Sequence, residues 1–420
     1  MEIEVPVGSP AMLTDLKIAN RKSVLSAFRQ GVQKNAGEIS QETGISRPTV
    51  VKCIRFFREK GLLISQGKGA STATGGKRPE NYALSGRRYF LCLALWPMEM
   101  RACLYTLGHT MLGKISLPMS LPDTPEETGR QAAALAARLL REQCVLPQDV
   151  CAASVSTSGT VDRATNTLMF SSHTPSWGIR VHLLDDLSAL LGTETPIFLE
   201  NAGKMCARPF LKDPALREQR LLVLFTTWGV SGTFIERGHI TNGRRSLIGE
   251  IGHMTVKPDD PELCGCGSRG CFERLISPER MRKLLKEELN HAPSSLVSSR
   301  LSDMSIPDLF RASSAGVPAA RSVSARLARI FAPVLRNVTL AFDPDTVILQ
   351  GDYASADDVF REELQKAMEG FHYFADGIPF NLMTDSRDLS EMDAEGAFFA
   401  LDHLYFSNPD LYRDESTDLS

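Results

Sequence analysis

Hydrophobic positions near the start of the chain recur at helical spacing. Between about Asn20 and Gln33, Val24, Leu25 and Phe28 share one face, with Asn20 placed to cap the segment. A shorter helix is predicted over Ala36 to Thr43, after which Gly44 can take the left-handed conformation that turns a chain sharply. Ile45 then points inward and Ser46 is a cap candidate. Proline is tolerated in the opening Arg47-Pro48-Thr49, because first-turn amides have no intrahelical partner. The third helix buries Val50, Cys53, Ile54 and Phe57, leaves Arg47, Thr49, Lys52 and Arg55 on another face, and ends at Gly61. Leu62 to Ser65 and Asn81 to Leu84 read as strands around a polar loop, Gly67 to Gly76. Helix, glycine turn, helix and wing make a winged helix-turn-helix, in which the start of the second helix of the pair reads base edges.

Past Arg88 the pattern changes to alternating strands and helices. Leu91 to Leu95, Arg101 to Leu107 and the stretches around Val155 and Phe198 read as strands, and Glu126 to Glu142 as an amphipathic helix, which is α/β patterning. The chain of 420 residues, 43% hydrophobic and 23% charged, suffices for two or three domains with cores. Its amino terminus lacks the basic start and apolar run of a signal peptide, and no apolar stretch is long enough to span a bilayer. A cytoplasmic protein without a membrane partner is expected.

The net charge of −3 conceals a polar split. Up to Arg88 there are 15 Lys and Arg against 7 Asp and Glu, whereas the remainder carries 32 against 43. A basic head on an acidic body suits a polyanion-binding module joined to a sensing or assembly domain. The tract Gly75-Gly76-Lys77-Arg78-Pro79 adds Lys77 and Arg78 as candidates to lie along phosphates or enter a minor groove. Together with Arg47, Thr49, Lys52 and Arg55 they form the predicted contact set for double-stranded DNA.

Of nine cysteines, three crowd into Cys264-Gly265-Cys266-Gly267-Ser268-Arg269-Gly270-Cys271-Phe272-Glu273, shortly after Gly249-Glu250-Ile251-Gly252-His253. His253, Cys264, Cys266 and Cys271 are a complete tetrahedral set for zinc, and the intervening glycines let a short loop fold around one ion. A closed shell of four protein ligands leaves no vacancy for activated water, so the zinc is expected to be structural.

These segments resemble the ROK family, named for repressors, open reading frames and kinases. The resemblance is most specific at the Gly-Glu-Ile-Gly-His and cysteine segments. It extends from the helix-turn-helix through Asn337 to Gly351 and the tail from Ala394 to Tyr412. It implies an actin-like ATPase (ribonuclease H-like) body with two α/β lobes around a sugar cleft. The corresponding division is 1–88 for the DNA-binding domain and linker, 89–205 for the first lobe, 206–390 for the second lobe with zinc loop and dimerisation region, and 391–420 for closing helices.

Enzymatic members use an aspartate directly after an asparagine as the base for phosphoryl transfer; here Asn201 is followed by Ala202, and a methyl group cannot accept a proton. The first phosphate loop is replaced by Ala94-Leu95-Trp96-Pro97-Met98. The second carries Trp228 where backbone should approach the nucleotide, and the adenosine-region glycine pair appears as Gln350-Gly351. No catalytic residue and no enzyme activity are therefore expected. By the same resemblance, Asn201, Glu250, His253 and Glu273 occupy positions that touch sugar hydroxyls. The expected protein is a homodimeric transcriptional regulator of carbohydrate-related genes, a repressor, whose body responds to a sugar, a sugar phosphate or a transport-system protein. The alternatives are a sugar kinase with a DNA-binding head, and a regulator whose body only dimerises or docks a partner.

Overall fold

A computed structural model describes residues 10–29, 31–68, 78–118, 124–369, 373 and 378–414. The head comprises α1 (Pro10–Ser26), β1 (Lys34–Asn35), α2 (Ala36–Thr43), α3 (Arg47–Glu59), β2 (Leu63–Lys68) and β3 (Glu80–Leu84), with the strands in the order β1-β3-β2. The helical stripes are as the spacing predicts: Val24, Leu25, Phe28, Val50 and Phe57 are fully buried, and Cys53 and Ile54 nearly so. Gly44 closes α2 at φ 70°.

Two caps differ from the sequence reading. Asn20 lies inside α1 rather than at its start, and tertiary partners hold the helix on both sides of it: Lys17 pairs with Asp414 at 2.5 Å, while Arg21 Nη1 donates to the Tyr412 carbonyl and Nη2 pairs with Asp414, both at 2.7 Å. Ser46 holds the position before α3, but its hydroxyl meets Thr49 Oγ1 at 2.9 Å instead of an amide. The effective cap in the head is Asn35. Its side chain accepts from the Gly37 and Glu38 amides while Glu38 accepts from the Asn35 amide at 2.8 Å, a reciprocal box that satisfies otherwise orphaned donors.

The body begins with β4 (Tyr89–Trp96), β5 (Glu99–Thr106), β6 (Met111–Pro118), α4 (Pro125–Glu142), β7 (Val150–Thr157), β8 (Thr160–Asp162), β9 (Thr167–Phe170), α5 (Asp185–Leu191), β10 (Ile197–Asn201) and α6 (Ala202–Ala207). It continues with β11 (Arg220–Thr226), β12 (Val230–Glu236), β13 (His239–Ile240), α7 (Phe272–Leu275), α8 (Pro278–Leu289), α9 (Ser295–Ser298), α10 (Ile306–Ser314) and α11 (Pro318–Phe342). Then come β14 (Thr346–Gly351), α12 (Asp358–Met368), β15 (Asn381–Asp385) and α13 (Leu389–Ser407).

The strands form two five-stranded sheets, β10-β7-β4-β5-β6 and β13-β12-β11-β14-β15. Each has three antiparallel strands in succession, then one strand added parallel to the first and another parallel to that, so the two sheets repeat one topology. Their central strands are nearly continuous apolar runs because both faces are covered. The carboxyl ends of β4, β10, β11 and β14 deliver Trp96, Asn201, Thr226 and Gly351, the kind of edge at which parallel strands build ligand sites.

Helix α13 returns across the first sheet, setting Phe398 and Tyr405 edge-on to Phe90 with both ring centroids at 5.6 Å. Beneath it, Arg101 on β5 pairs with Asp393 at 2.7 Å, both buried. The head joins this layer. Val24, Phe28, Ile54 and Phe57 share one buried cluster with Phe90, Cys92, Ala397 and Tyr412.

Candidate functional site

The loop after β13 is folded by short backbone bridges rather than by a core. The Val256 amide donates to the Gly270 carbonyl at 2.7 Å, the Cys264 amide to Ser268 at 2.8 Å and the Phe272 amide to Met254 at 2.9 Å. Gly270 sits at φ 66° with the Lys257 carbonyl so close that an added Cβ would lie 1.7 Å from it, so only glycine fits there. These bridges gather the ligand atoms of His253, Cys264, Cys266 and Cys271 within 4.8 Å of one another. Cys264 Sγ is 3.6 Å from His253 Nδ1, and Cys266 Sγ is 3.6 Å from Cys271 Sγ. Ligands bound at zinc distances would stand roughly 3.5–3.8 Å apart, so this cluster can hold a metal. His253 turns Nδ1 towards it and leaves Nε2 3.9 Å from Glu250.

Asn201, Glu250 and Glu273 converge around the turn between β7 and β8, and each is already engaged by protein. Asn201 ends β10 and caps α6, accepting from the Gly203 amide at 2.9 Å and the Lys204 amide at 3.3 Å, while its Nδ2 donates to the Gly159 carbonyl at 2.9 Å. Thr160 donates to Glu250 at 2.8 Å, and the Val230 amide donates to Glu273 at 2.8 Å. The space between Asn201 and Glu273 is a pocket of only about 30 Å³, room for about two waters. Sequence reading missed the cations behind it. Lys204 is 7% exposed and donates to Asn242 Oδ1 at 3.3 Å, with burial pushing its ammonium below the usual lysine range; Arg208 pairs with buried Glu200 at 3.2 Å.

On the other side of the crevice, Trp96 at the end of β4 and Trp228 in the β11–β12 turn meet with ring centroids 5.4 Å apart. Phe225 packs against Trp228 at 5.1 Å, and the Trp96 indole donates to Ser156 at 3.2 Å. Ala202, where kinases carry the base by resemblance, is buried at the start of α6. Beyond Trp228 lies a cavity of about 580 Å³, bounded by that turn, the cysteine loop, α8 and Asp352. The ring nitrogen Nε2 of His173 contacts the Trp228 carbonyl at 2.6 Å and divides this cavity from the smaller pocket.

In the head, Arg47, Lys52 and Arg55 are exposed on α3, and Thr49 is half-buried with its hydroxyl turned to Ser46. Among the described residues none of the three cations is held in an ion pair. The sequence reading missed Val51, 44% exposed between them, although the spacing of Arg47, Val51 and Arg55 puts these residues in one line along the helix. Arg78 is exposed before β3, whereas Lys77 lies outside the described residues.

Two sheets of equal topology meeting at a crevice, with a His/Cys₃ loop beside it, define a mixed α/β body of the sugar-kinase-like class. The chain belongs to the ROK family, whose model matches residues 98–398. It is 23% identical over 370 residues to the DNA-binding transcriptional dual regulator NagC of Escherichia coli, with 86% of each chain covered. To the glucokinase of Thermotoga maritima it is 28% identical over 209 residues, which cover 49% of this chain and 65% of that one, just under two thirds of its length. Among solved structures, a ROK family transcriptional regulator homologous to the E. coli MLC protein superposes with a TM-score of 0.73 at 16% identity, covering 95% of this chain and all of that one. The ROK family glucokinase of Streptomyces griseus, in complex with glucose and AMPPNP, gives 0.60 at 20% identity and covers 74% of this chain. No described helix is long and apolar enough to cross a membrane.

Proposed function

We propose that the protein is a DNA-binding transcriptional regulator, a repressor of carbohydrate-related genes, built from a winged helix-turn-helix head (residues 1–88) and a ROK body that has lost kinase activity. The observation that carries this reading is the unpaired basic face of α3: Arg47, Lys52 and Arg55 are exposed on the helix that follows the Gly44 turn. In this arrangement the start of the helix enters a major groove, and Arg47, Thr49, Lys52 and Arg55 contact bases or phosphates while Lys77 and Arg78 track the backbone. Two copies of the chain, paired through the body, would set two such helices in successive grooves of a palindromic operator.

The body then serves as sensor and dimerisation unit in the cytoplasm. Residues 89–205 and 206–390 are its two lobes and 391–420 closes it. A zinc ion held by His253, Cys264, Cys266 and Cys271 would cross-link the loop structurally, its binding energy adding to folding. Asn201, Glu250, His253 and Glu273 are the proposed contacts for a sugar or sugar-phosphate effector, and a transport-system protein is a further partner this surface could serve. Absence of phosphoryl transfer is supported by buried Ala202 and by the Trp96 and Trp228 rings, which stand in the stretches that the resemblance aligns with phosphate loops.

Fluorescence anisotropy with the DNA upstream of the protein's own gene tests the reading. Tight, salt-sensitive binding that weakens in Arg47→Ala and Lys52→Ala is expected; binding indifferent to both substitutions rejects it. The likeness to glucokinases favours one rival, a sugar kinase with a DNA-binding head. Coupled ATP turnover across a sugar panel decides between them, and activity abolished by Glu250→Ala would establish the rival.

A further inference from the structure

We infer that Val51 is a specificity-determining residue of this protein, and that its methyls select the 5-methyl group of a thymine in the major groove. This role rests on the proposed DNA binding and goes beyond it, since Val51 is not among the contacts that charge or hydrogen bonding would pick out. Position is the first reason. The inward stripe of α3 is Val50, Cys53, Ile54 and Phe57, which leaves Arg47, Pro48, Val51, Lys52 and Arg55 exposed. Val51 stands three positions after Pro48, four after Arg47 and four before Arg55, spacings at which side chains on a helix are neighbours. Pro48 and Val51 therefore form a small apolar pad, with Arg47 and Arg55 one turn either way from Val51 and Lys52 one turn on from Pro48. In a groove, cations so placed reach phosphates or guanine edges, and the short apolar pad between them meets the base that lies under the helix.

The second reason is that valine is a poor residue for this place in the free chain. It is 44% exposed, so it adds little to the core, and a β-branched side chain is less favourable in a helix than the Ala, Lys, Glu or Gln that suit an exposed position. Against DNA both drawbacks become advantages. Valine has one strongly preferred rotamer in a helix, so ordering it costs little entropy, and it carries no polar group that contact would desolvate. Among the groups that base pairs present in the major groove, the thymine methyl is the apolar one, and it marks T·A off from C·G. The mount is firm as well. Phe57 on the same helix is fully buried, and Phe56 is covered by the Arg21 guanidinium at 3.4 Å, which fixes the pad relative to the rest of the head.

Anisotropy titrations of the full-length protein on the DNA upstream of its own gene, with the bound segment located by footprinting, test the assignment. Each thymine of that segment is replaced in turn by deoxyuridine, which pairs as thymine does and lacks only the methyl. For the wild-type protein at least one replacement should weaken binding about fourfold, the worth of one buried methylene-sized group. In Val51→Ala the same replacement should change affinity by less than about 1.5-fold, because the group that felt the methyl is gone. Alanine is the best helix former, so this variant keeps α3, and the deoxyuridine series on wild type needs no variant at all. Val32→Ala, which trims a valine 46% exposed elsewhere on the head, should keep the wild-type sensitivity. Wild type indifferent to every replacement, or methyl sensitivity undiminished in Val51→Ala, overturns the inference and leaves DNA binding intact. Failure of the wild-type protein to bind the unmodified DNA rejects the DNA-binding reading and this role with it.

Discussion

Trp96 and Trp228 stand with ring centroids 5.4 Å apart and planes tilted by 58°, one at the carboxyl end of β4 in the first sheet and the other in the β11–β12 turn of the second. Each stands in a stretch that the resemblance aligns with a phosphate-binding loop of the kinases, and together they bridge the two sheets across the crevice. Trp96→Ala should cost about 3–5 kcal/mol of stability, the range for removing a buried Trp, because Trp96 is 5% exposed and its indole bond to Ser156 goes too. Urea denaturation measures this, and a loss under about 1 kcal/mol would show that the rings are not bound into the fold.

Restoring the missing base should not restore catalysis. In Ala202→Asp the aspartate would follow Asn201 as in the kinases, yet both tryptophans would still occupy the crevice, so ATP turnover with glucose or N-acetylglucosamine should stay at the level of a no-enzyme control. Sugar-dependent turnover in this single variant would mean that the nucleotide side still works.

The metal cluster should contribute to stability rather than to chemistry. Zinc content by elemental analysis should be about one per chain, and a strong chelator or Cys266→Ser should lower stability by several kcal/mol. Gly270→Ala should mimic part of that loss, since the methyl would collide with the Lys257 carbonyl. Thermal melts with and without chelator check it; unchanged melts would leave the thiols as mere packing.

Asp352 supplies a pH test of burial. Its folded-state pKa of about 6 is raised by desolvation above the ~3.9 of an unfolded chain. Such a carboxyl binds its proton more tightly in the folded state, so its charge destabilises the fold above about pH 6 and the penalty is gone below about pH 4. Asp352→Asn should therefore be more stable than wild type by on the order of 2 kcal/mol near neutral pH, with the gain shrinking through pH 6 and absent near pH 4. A gain that ignores pH would contradict the assignment.

The attachment of the head depends on the far end of the chain. Arg21 is 6% exposed, is bonded to the Tyr412 carbonyl and Asp414, and stacks 3.4 Å over Phe56. Arg21→Ala should loosen the head and leave a buried carbonyl unpaired, at a cost of about 2–3 kcal/mol. Asp414→Asn, with its carboxylate 59% exposed, should cost under about 1 kcal/mol. Limited proteolysis between head and body reads the difference, and equal protection of both variants would show that the tail does not hold the head.

The sequence by itself determined whatever is periodic or local. The α2 boundaries, the buried stripe of α3 and the Gly44 turn follow from spacing and backbone freedom, and the cluster of His253, Cys264, Cys266 and Cys271, able to hold a metal, follows from four such side chains close in the chain. Tertiary structure decided whatever depends on partners distant in sequence. Helix α1 begins ten residues ahead of Asn20 and is held by Asp414 through Lys17 and by Tyr412 through Arg21, and Trp96 meets Trp228 across 132 positions. Asn201, Glu250 and Glu273, the positions that the resemblance assigns to sugar hydroxyls, each also hydrogen-bond a distant part of the protein, at Gly159, Thr160 and Val230. Residue identity fixes which bonds a side chain can form; which ones it does form depends on the neighbours that folding delivers.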